Sequence, residues 1–126
     1  MHWKLRGTRR KFTPNLNKFG FVYIITNKKN GKAYIGCKQY FLGRSKLKSK
    51  WEIYMGSSKS LLDDIKKTGK KHFKFEVIAE YKNKRSLRYY ECYFQMKYNV
   101  LSTTLEGTDE PAFYNSYVGG KWYRPV

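Results

Sequence analysis

The first 51 residues of this 126-residue chain contain no acidic side chain, while carrying 14 Lys and Arg. Residues 52–126 hold the other 13 basic residues and all 9 acidic ones, a net of +4, so most of the total charge of +18 lies in the N-terminal part. Cysteine and histidine are scarce, two of each: Cys37, Cys92, His2 and His72. With no CxxC pair, that set is too small for a disulfide framework or a closed Cys/His zinc site. The cysteines read as half-buried thiols and His72 as a surface residue beside a strand. No apolar run approaches the roughly 18–20 residues that cross a bilayer. The N-terminal MHWKLRGTRRKF lacks the apolar segment and small-residue cleavage site of a secretory signal. The expectation is a cytoplasmic protein with no membrane partner.

What remains is a chain long enough for one domain with one modest core, 40% hydrophobic and 18% aromatic, with 12 tyrosines. A field of one sign this strong attracts a polyanion, and phosphate backbone is the usual one. An anionic membrane is the rival, but it calls for an amphipathic basic helix, and residues 1–51 read as tail, strands and loop. Abundant tyrosine suits a binder that stacks on or hydrogen-bonds along nucleic acid, although many of the rings must serve the core.

Residues 1–18, with Trp3, Phe12, Pro14 and six Lys/Arg, show no periodicity and read as a flexible basic arm. Residues 20–27 and 32–38 read as strands of high β-propensity around Asn30-Gly31, a strong hairpin signal. An even-length loop puts Val22, Ile24, Thr26, Ala33, Ile35 and Cys37 on one face, apolar or small throughout. Phe21, Tyr23, Ile25, Asn27, Lys32, Tyr34, Gly36 and Lys38 take the other. The first is the natural core face, so both phenols are expected on the side away from the main core, with Lys38 beside them. Residues 39–56 read as a basic, aromatic loop. Residues 57–68 read as a helix capped by Ser57 or Ser58 and ended by Gly69. Residues 73–81 alternate as a third strand, with Phe73, Phe75, Val77 and Ala79 on one side. Residues 86–99 form a second helix with Ser86 as candidate N-cap and an apolar stripe of Leu87, Tyr90, Phe94 and Tyr98. Glu91 falls on that stripe, where a carboxylate needs a partner, a hydrogen bond or a cation. The fold class expected is α/β: a small three-stranded antiparallel sheet flanked by helices, with residues 19–126 as one domain and residues 1–18 as an arm.

The triplets Phe21-Val22-Tyr23 and Tyr34-Ile35-Gly36, with tyrosines eleven apart, then Arg44, Glu91 and Asn115 in order, resemble the GIY-YIG nuclease family. The likeness covers about residues 20–116. YIGCKQYF and WEIYMGSSKSLLDDIKKTGKKHF are similar in particular to small phage-type members related to homing endonucleases, which implies the cytoplasm of a virus-infected host cell. The first triplet departs from the family in lacking Gly and Ile. Tyr54-Met55-Gly56-Ser57 stands where relatives often carry a histidine.

The resemblance implies a metal-dependent endonuclease that hydrolyses DNA phosphodiester bonds. It implies Glu91 as ligand of Mg²⁺ or Mn²⁺, a hard cation that keeps most of its waters and needs few protein ligands. It implies a tyrosine near the scissile phosphate. Tyr23 is the candidate base and Tyr34 the candidate for orienting water or phosphate, although an unperturbed phenol, pKa about 10, is a poor base near neutrality. Arg44 or Lys38 is expected on the non-bridging oxygens and Asn115 as an orienting group. Lys32, Lys38, Arg44, Lys46, Lys48, Lys50 and, in the arm, Arg9, Arg10 and Lys11 are the expected backbone contacts. So short a chain implies low specificity, or specificity supplied by the arm, a dimer or a partner. The alternative is a non-catalytic DNA- or RNA-binding domain that retains the fold; it explains the charge but not Glu91 on an apolar stripe.

Overall fold

Phe21-Val22-Tyr23-Ile24-Ile25 is apolar at both parities of the strand, and the structure buries it on both faces. A continuous apolar run is the signature of a strand covered on two sides, as opposed to the alternation of a half-exposed one. The computed structural model describes residues 1–43 and 47–119. In chain order the elements are β1 (Lys4–Leu5), β2 (Gly20–Asn27), β3 (Ala33–Gln39), α1 (Lys59–Thr68), β4 (Phe73–Tyr81) and α2 (Lys84–Lys97), with single 3-10 turns at Trp51–Ile53 and Lys70–His72. The sheet runs β1-β4-β2-β3. β2 is antiparallel to both β3 and β4, and β1 lies parallel to β4.

The expected α/β class holds, but the sheet has four strands and is mixed. The fourth comes from the leader. Residues 3–12 fold back on themselves, with Phe12 N–H donating to Trp3 C=O and Leu5 N–H to Arg10 C=O. Trp3 is 0% exposed and donates its indole N–H to the Trp51 carbonyl at 2.9 Å. Its ring meets Phe21, Tyr23 and Phe75. The arm expected over residues 1–18 therefore supplies two aromatic anchors, Trp3 and Phe12, to the core. Aperiodic aromatics in a basic stretch carry no strand or helix period, so the pattern conceals this packing.

Parity predicts the hairpin faces correctly. Ile24 pairs with Ile35 and Ile25 with Tyr34. The closing bond is Asn27 N–H to Lys32 C=O, which leaves a four-residue loop with Gly31 at φ 82°. The loop is longer than a two-residue turn, but its length is even. The inference drawn from those faces is corrected. The face of Phe21, Tyr23 and Ile25 is the floor of the larger core, closed by Trp3, Phe12, Tyr40, Trp51, Leu61 and Ile65. The face of Val22, Ile24 and Ile35 meets Leu87 and Val100, with Tyr90 and Phe94 packed at its margin. The sheet is covered on both sides. A register shift between Val22 and Tyr23 of β2 opposite β4 brings Ala79 opposite Val22, so Ala79 leaves the face of Phe73, Phe75 and Val77.

Both helices begin on side-chain caps. Ser58 Oγ accepts the Leu61 N–H at the start of α1. Asn83, not Ser86, caps α2: its Oδ1 accepts the Ser86 N–H at 2.8 Å, and Ser86 is buried within the first turn.

If the leader is part of the core, Trp3→Ala removes a fully buried indole and lowers stability by about 3–5 kcal/mol, read by urea denaturation. A free arm predicts no change.

Candidate active site

β3 is an edge strand, and its outward backbone groups need partners. Ala33 is satisfied by the tail: its N–H donates to Ala112 C=O, and its C=O accepts the Tyr114 N–H. At Ile35 the Asn115 side chain replaces a neighbouring strand. Its Oδ1 accepts the Ile35 N–H at 3.0 Å and its Nδ2 donates to the Ile35 C=O at 2.8 Å. The buried amide of Gln95 donates to the same carbonyl at 3.0 Å. One ladder step on, roughly 6–7 Å along the strand, the backbone N–H and the thiol of Cys37 hydrogen-bond to Glu91.

This edge forms one wall of a cleft of about 730 Å³, lined by Tyr34, Lys38, Glu91 and Asn115 among others. Four of the six candidate catalytic residues thus converge. Tyr23 does not line the cleft; it is 1% exposed and lies beneath Gly36. A Cβ on Gly36 would fall 2.5 Å from the Tyr23 hydroxyl oxygen and 3.0 Å from the Tyr34 ring, so only glycine lets the two phenols approach, their centroids 6.2 Å apart. Burial pushes the Tyr23 phenol well above its ordinary value, with Tyr54 and Tyr34 adding to the shift. Tyr34 is half-buried, and its hydroxyl shares a hydrogen bond with Ser57 at 3.1 Å. Its pKa is raised by burial, which the Ser57 bond partly offsets.

Arg44 and Lys46 lie outside the described residues. Lys38 holds its ammonium 4.3 Å from the Tyr54 ring centroid, a cation–π contact, and burial lowers its pKa. Lys32 sits 4.8 Å above the ring of Tyr114, which lines the cleft. Lys48, Lys50, Arg9, Arg10 and Lys11 do not line it; Lys48 pairs at 3.9 Å with exposed Glu52.

The side chain of Glu91 is 20% exposed. Burial raises its pKa, while the Cys37 bonds and the Arg88 charge pull the other way. Arg88 Nη1 stands 3.8 Å from Glu91 Oε1. Arg88, to which the sequence assigns no role, also lines the cleft, as do Ser57, expected as a possible helix cap, and Cys37, expected as a half-buried thiol. For Arg88 the available signal is its (i, i+3) spacing from Glu91 on a helix; for Ser57 and Cys37 no local pattern announces the contact. Asp63 is a second carboxylate on the cleft wall. Among the described residues no three His, Cys, Asp or Glu side chains gather as a metal cluster. A mostly buried carboxylate that keeps part of its surface beside open volume fits a hard, largely hydrated cation and does not fit a soft metal that needs a full protein cage.

The described residues contain no helix long and apolar enough to cross a membrane. Residues 3–118 match the family described as "Putative endonuclease segE, GIY-YIG domain", and the chain belongs to that GIY-YIG family. It is 29% identical over 109 residues to Endonuclease segA of Enterobacteria phage T4, an alignment covering 86% of this chain and 42% of the relative. The chain thus spans about two fifths of that protein's length. No solved structure matches.

A raised Glu91 pKa has a consequence for stability. Its contribution is fully present below the ordinary value of 4.5 and is lost as pH rises through the raised folded value. At pH 7 the buried charge therefore opposes folding. Glu91→Gln is expected to melt above wild type at pH 7, with the gap closing by pH 4, as thermal unfolding at the two pH values would show.

Proposed function

We propose that this protein is a metal-dependent endonuclease that hydrolyses DNA phosphodiester bonds. The observation that carries the reading is the convergence of Tyr34, Lys38, Glu91 and Asn115 on one cleft, in a chain of net charge +18. Hydrolysis requires an oriented water, stabilised charge on the phosphoryl oxygens, and stabilisation of the leaving oxygen. Glu91, which lines the cleft, would hold Mg²⁺ or Mn²⁺, which when bound would supply neutralising charge at the phosphoryl and leaving oxygens.

The chain's own groups divide the remaining work. Lys38 takes a non-bridging oxygen, its ammonium held beside the Tyr54 ring at the cleft wall. Tyr34 meets the substrate as a neutral phenol, because burial holds its proton on, and it orients water or phosphate through its O–H. Tyr23 supports Tyr34 from below and takes no part in proton transfer, since its phenol is enclosed. Asn115 is a positioning residue: it fixes the backbone between Tyr34 and Gly36. The homing-type role implied by the sequence resemblance belongs to this reading, and a preferred cutting sequence is its mark.

The Arg88–Glu91 pair favours a second reading. A carboxylate with a cation from its own chain is what a non-catalytic DNA- or RNA-binding descendant of the fold would show. Arg88 is 62% exposed at its side chain, so the pair is weak and yields readily to another cation.

Supercoiled plasmid separates the two readings. Wild type with Mg²⁺ is expected to give nicked circles, and neither chelator-treated enzyme nor Glu91→Ala should do so. Absence of Mg²⁺-dependent nicking by wild type sinks the nuclease reading in favour of the binding domain. Tyr34→Phe is expected to slow nicking about 100- to 1,000-fold with an unchanged melting temperature. Tyr23→Phe should slow it far less; the reverse order would return the chemical role to Tyr23.

A further inference from the structure

Two lysine-rich turns without acidic residues, Lys28-Lys29-Asn30-Gly31-Lys32 and Lys66-Lys67-Thr68-Gly69-Lys70-Lys71, lie far apart in sequence. The fold joins them: Lys28 N–H, in the β2–β3 loop, donates to the His72 carbonyl at 2.8 Å, at the end of the 3-10 turn that follows α1. Lys28, Lys29, Lys66, Lys67, Lys70 and Lys71 are all exposed. None makes an ion pair among the described residues. The charges act on one place. His72 is held below its ordinary value by loss of solvent and by Lys29, Lys71 and Lys28. Like charges gathered this way destabilise the free protein, and a polyanion relieves the repulsion.

The patch is continuous with the cleft. Lys32 leaves the same loop and stands over Tyr114. Tyr114 accepts from Asn27 at the base of the loop and donates to Asp64 of α1 at 2.7 Å, so one ring joins hairpin, helix and cleft wall. From Lys32 to Lys38 along β3 is roughly 20 Å at about 3.3 Å per residue. That is close to 6 base pairs of duplex at about 3.4 Å each.

We infer that the joined turns around Lys28, Lys29, Lys70 and Lys71 form a second contact for the phosphate backbone of duplex DNA, holding the flank of the substrate about half a helical turn from the bond in the cleft. This rests on the DNA reading above and adds a site outside the cleft. It commits the protein to engage one flank of the cut more strongly than the other. The flank is gripped through backbone charge, with no base readout required.

The test uses the full chain carrying Glu91→Ala, so that binding is read without cleavage, and a fluorescent 24-base-pair duplex titrated at several salt concentrations. Lys28→Ala/Lys29→Ala/Lys70→Ala/Lys71→Ala is expected to weaken binding at least about tenfold and to flatten the slope of log K against log salt by about 2 to 4, near 0.9 per lost phosphate contact. A control variant, Lys18→Ala/Lys82→Ala/Lys84→Ala/Lys97→Ala, loses the same charge elsewhere and should change binding less than threefold. All eight lysines are exposed, so neither variant should melt below the parent, and relief of the repulsion should raise the patch variant. Equal weakening by the two variants overturns the site, because net charge alone then accounts for binding. So does an unchanged patch variant, which leaves the nuclease reading standing. Failure of the parent to bind duplex at all overturns both.

Discussion

The outer edge of β3 is the constraint on which the site depends. An edge strand presents alternate N–H and C=O groups that must be paired or left to water. Here the strand is closed at one end by the backbone of residues 112–114, in its middle by the Asn115 amide with Gln95, and then by the Glu91 carboxylate. Each of these groups is set by the spacing of a strand, which is more rigid than a loop. Tyr34 and Lys38 belong to the same strand. The distances among the candidate groups are thus fixed largely by peptide geometry, which is how a small chain can build a defined site with few side-chain partners.

The floor beneath that edge explains the two tyrosines. Phe21, Tyr23 and Ile25 face a core closed by the leader and by Trp51 and α1. Tyr23 crosses under Gly36, and its hydroxyl ends near Gly56, whose missing side chain makes room for Leu61. A buried phenol is difficult to ionise because its anion would lose solvent without gaining a cation of equal effect. Two residues that look equivalent in sequence therefore end in different electrostatic situations. Position on the strand decides which reaches solvent: Tyr34 is on the edge, and Tyr23 is on the central strand.

Much of the arrangement is legible in the sequence. The three long strands, both helices, the hairpin parity and the pairing of Tyr34 with Lys38 follow from local periodicity and spacing, whereas the addition of Glu91 to that group rests on the family resemblance. The leader's packing was not legible, because Trp3 and Phe12 act through long-range burial that leaves no period. Nor was the depth of Tyr23. Parity separates the two faces of a hairpin but says nothing of what covers each, and Trp3, Phe12 and Trp51 close the less apolar one. The Asn83 cap was hidden by a serine three residues on that also satisfies the pattern. Cys37 and Ser57 reach Glu91 and Tyr34 only through tertiary geometry.

The described signature residues, together with Lys38, fall into two physical groups. Tyr34, Lys38 and Glu91 keep part of their surface in the cleft and face whatever binds there. Tyr23, Gly36 and Asn115 build the wall: one as a buried ring, one as the space above it, and one, at the cleft surface, as a substitute for a missing strand. Changing a group of the first kind alters chemistry with little loss of packing. Changing one of the second kind leaves a void, a clash or two unpaired backbone groups, each opposing folding by about 1–3 kcal/mol. Loss of activity alone therefore cannot identify which signature residues touch the phosphate. The pairing of activity with stability can, because losing a builder lowers both, whereas losing the Glu91 charge is expected to raise stability at pH 7.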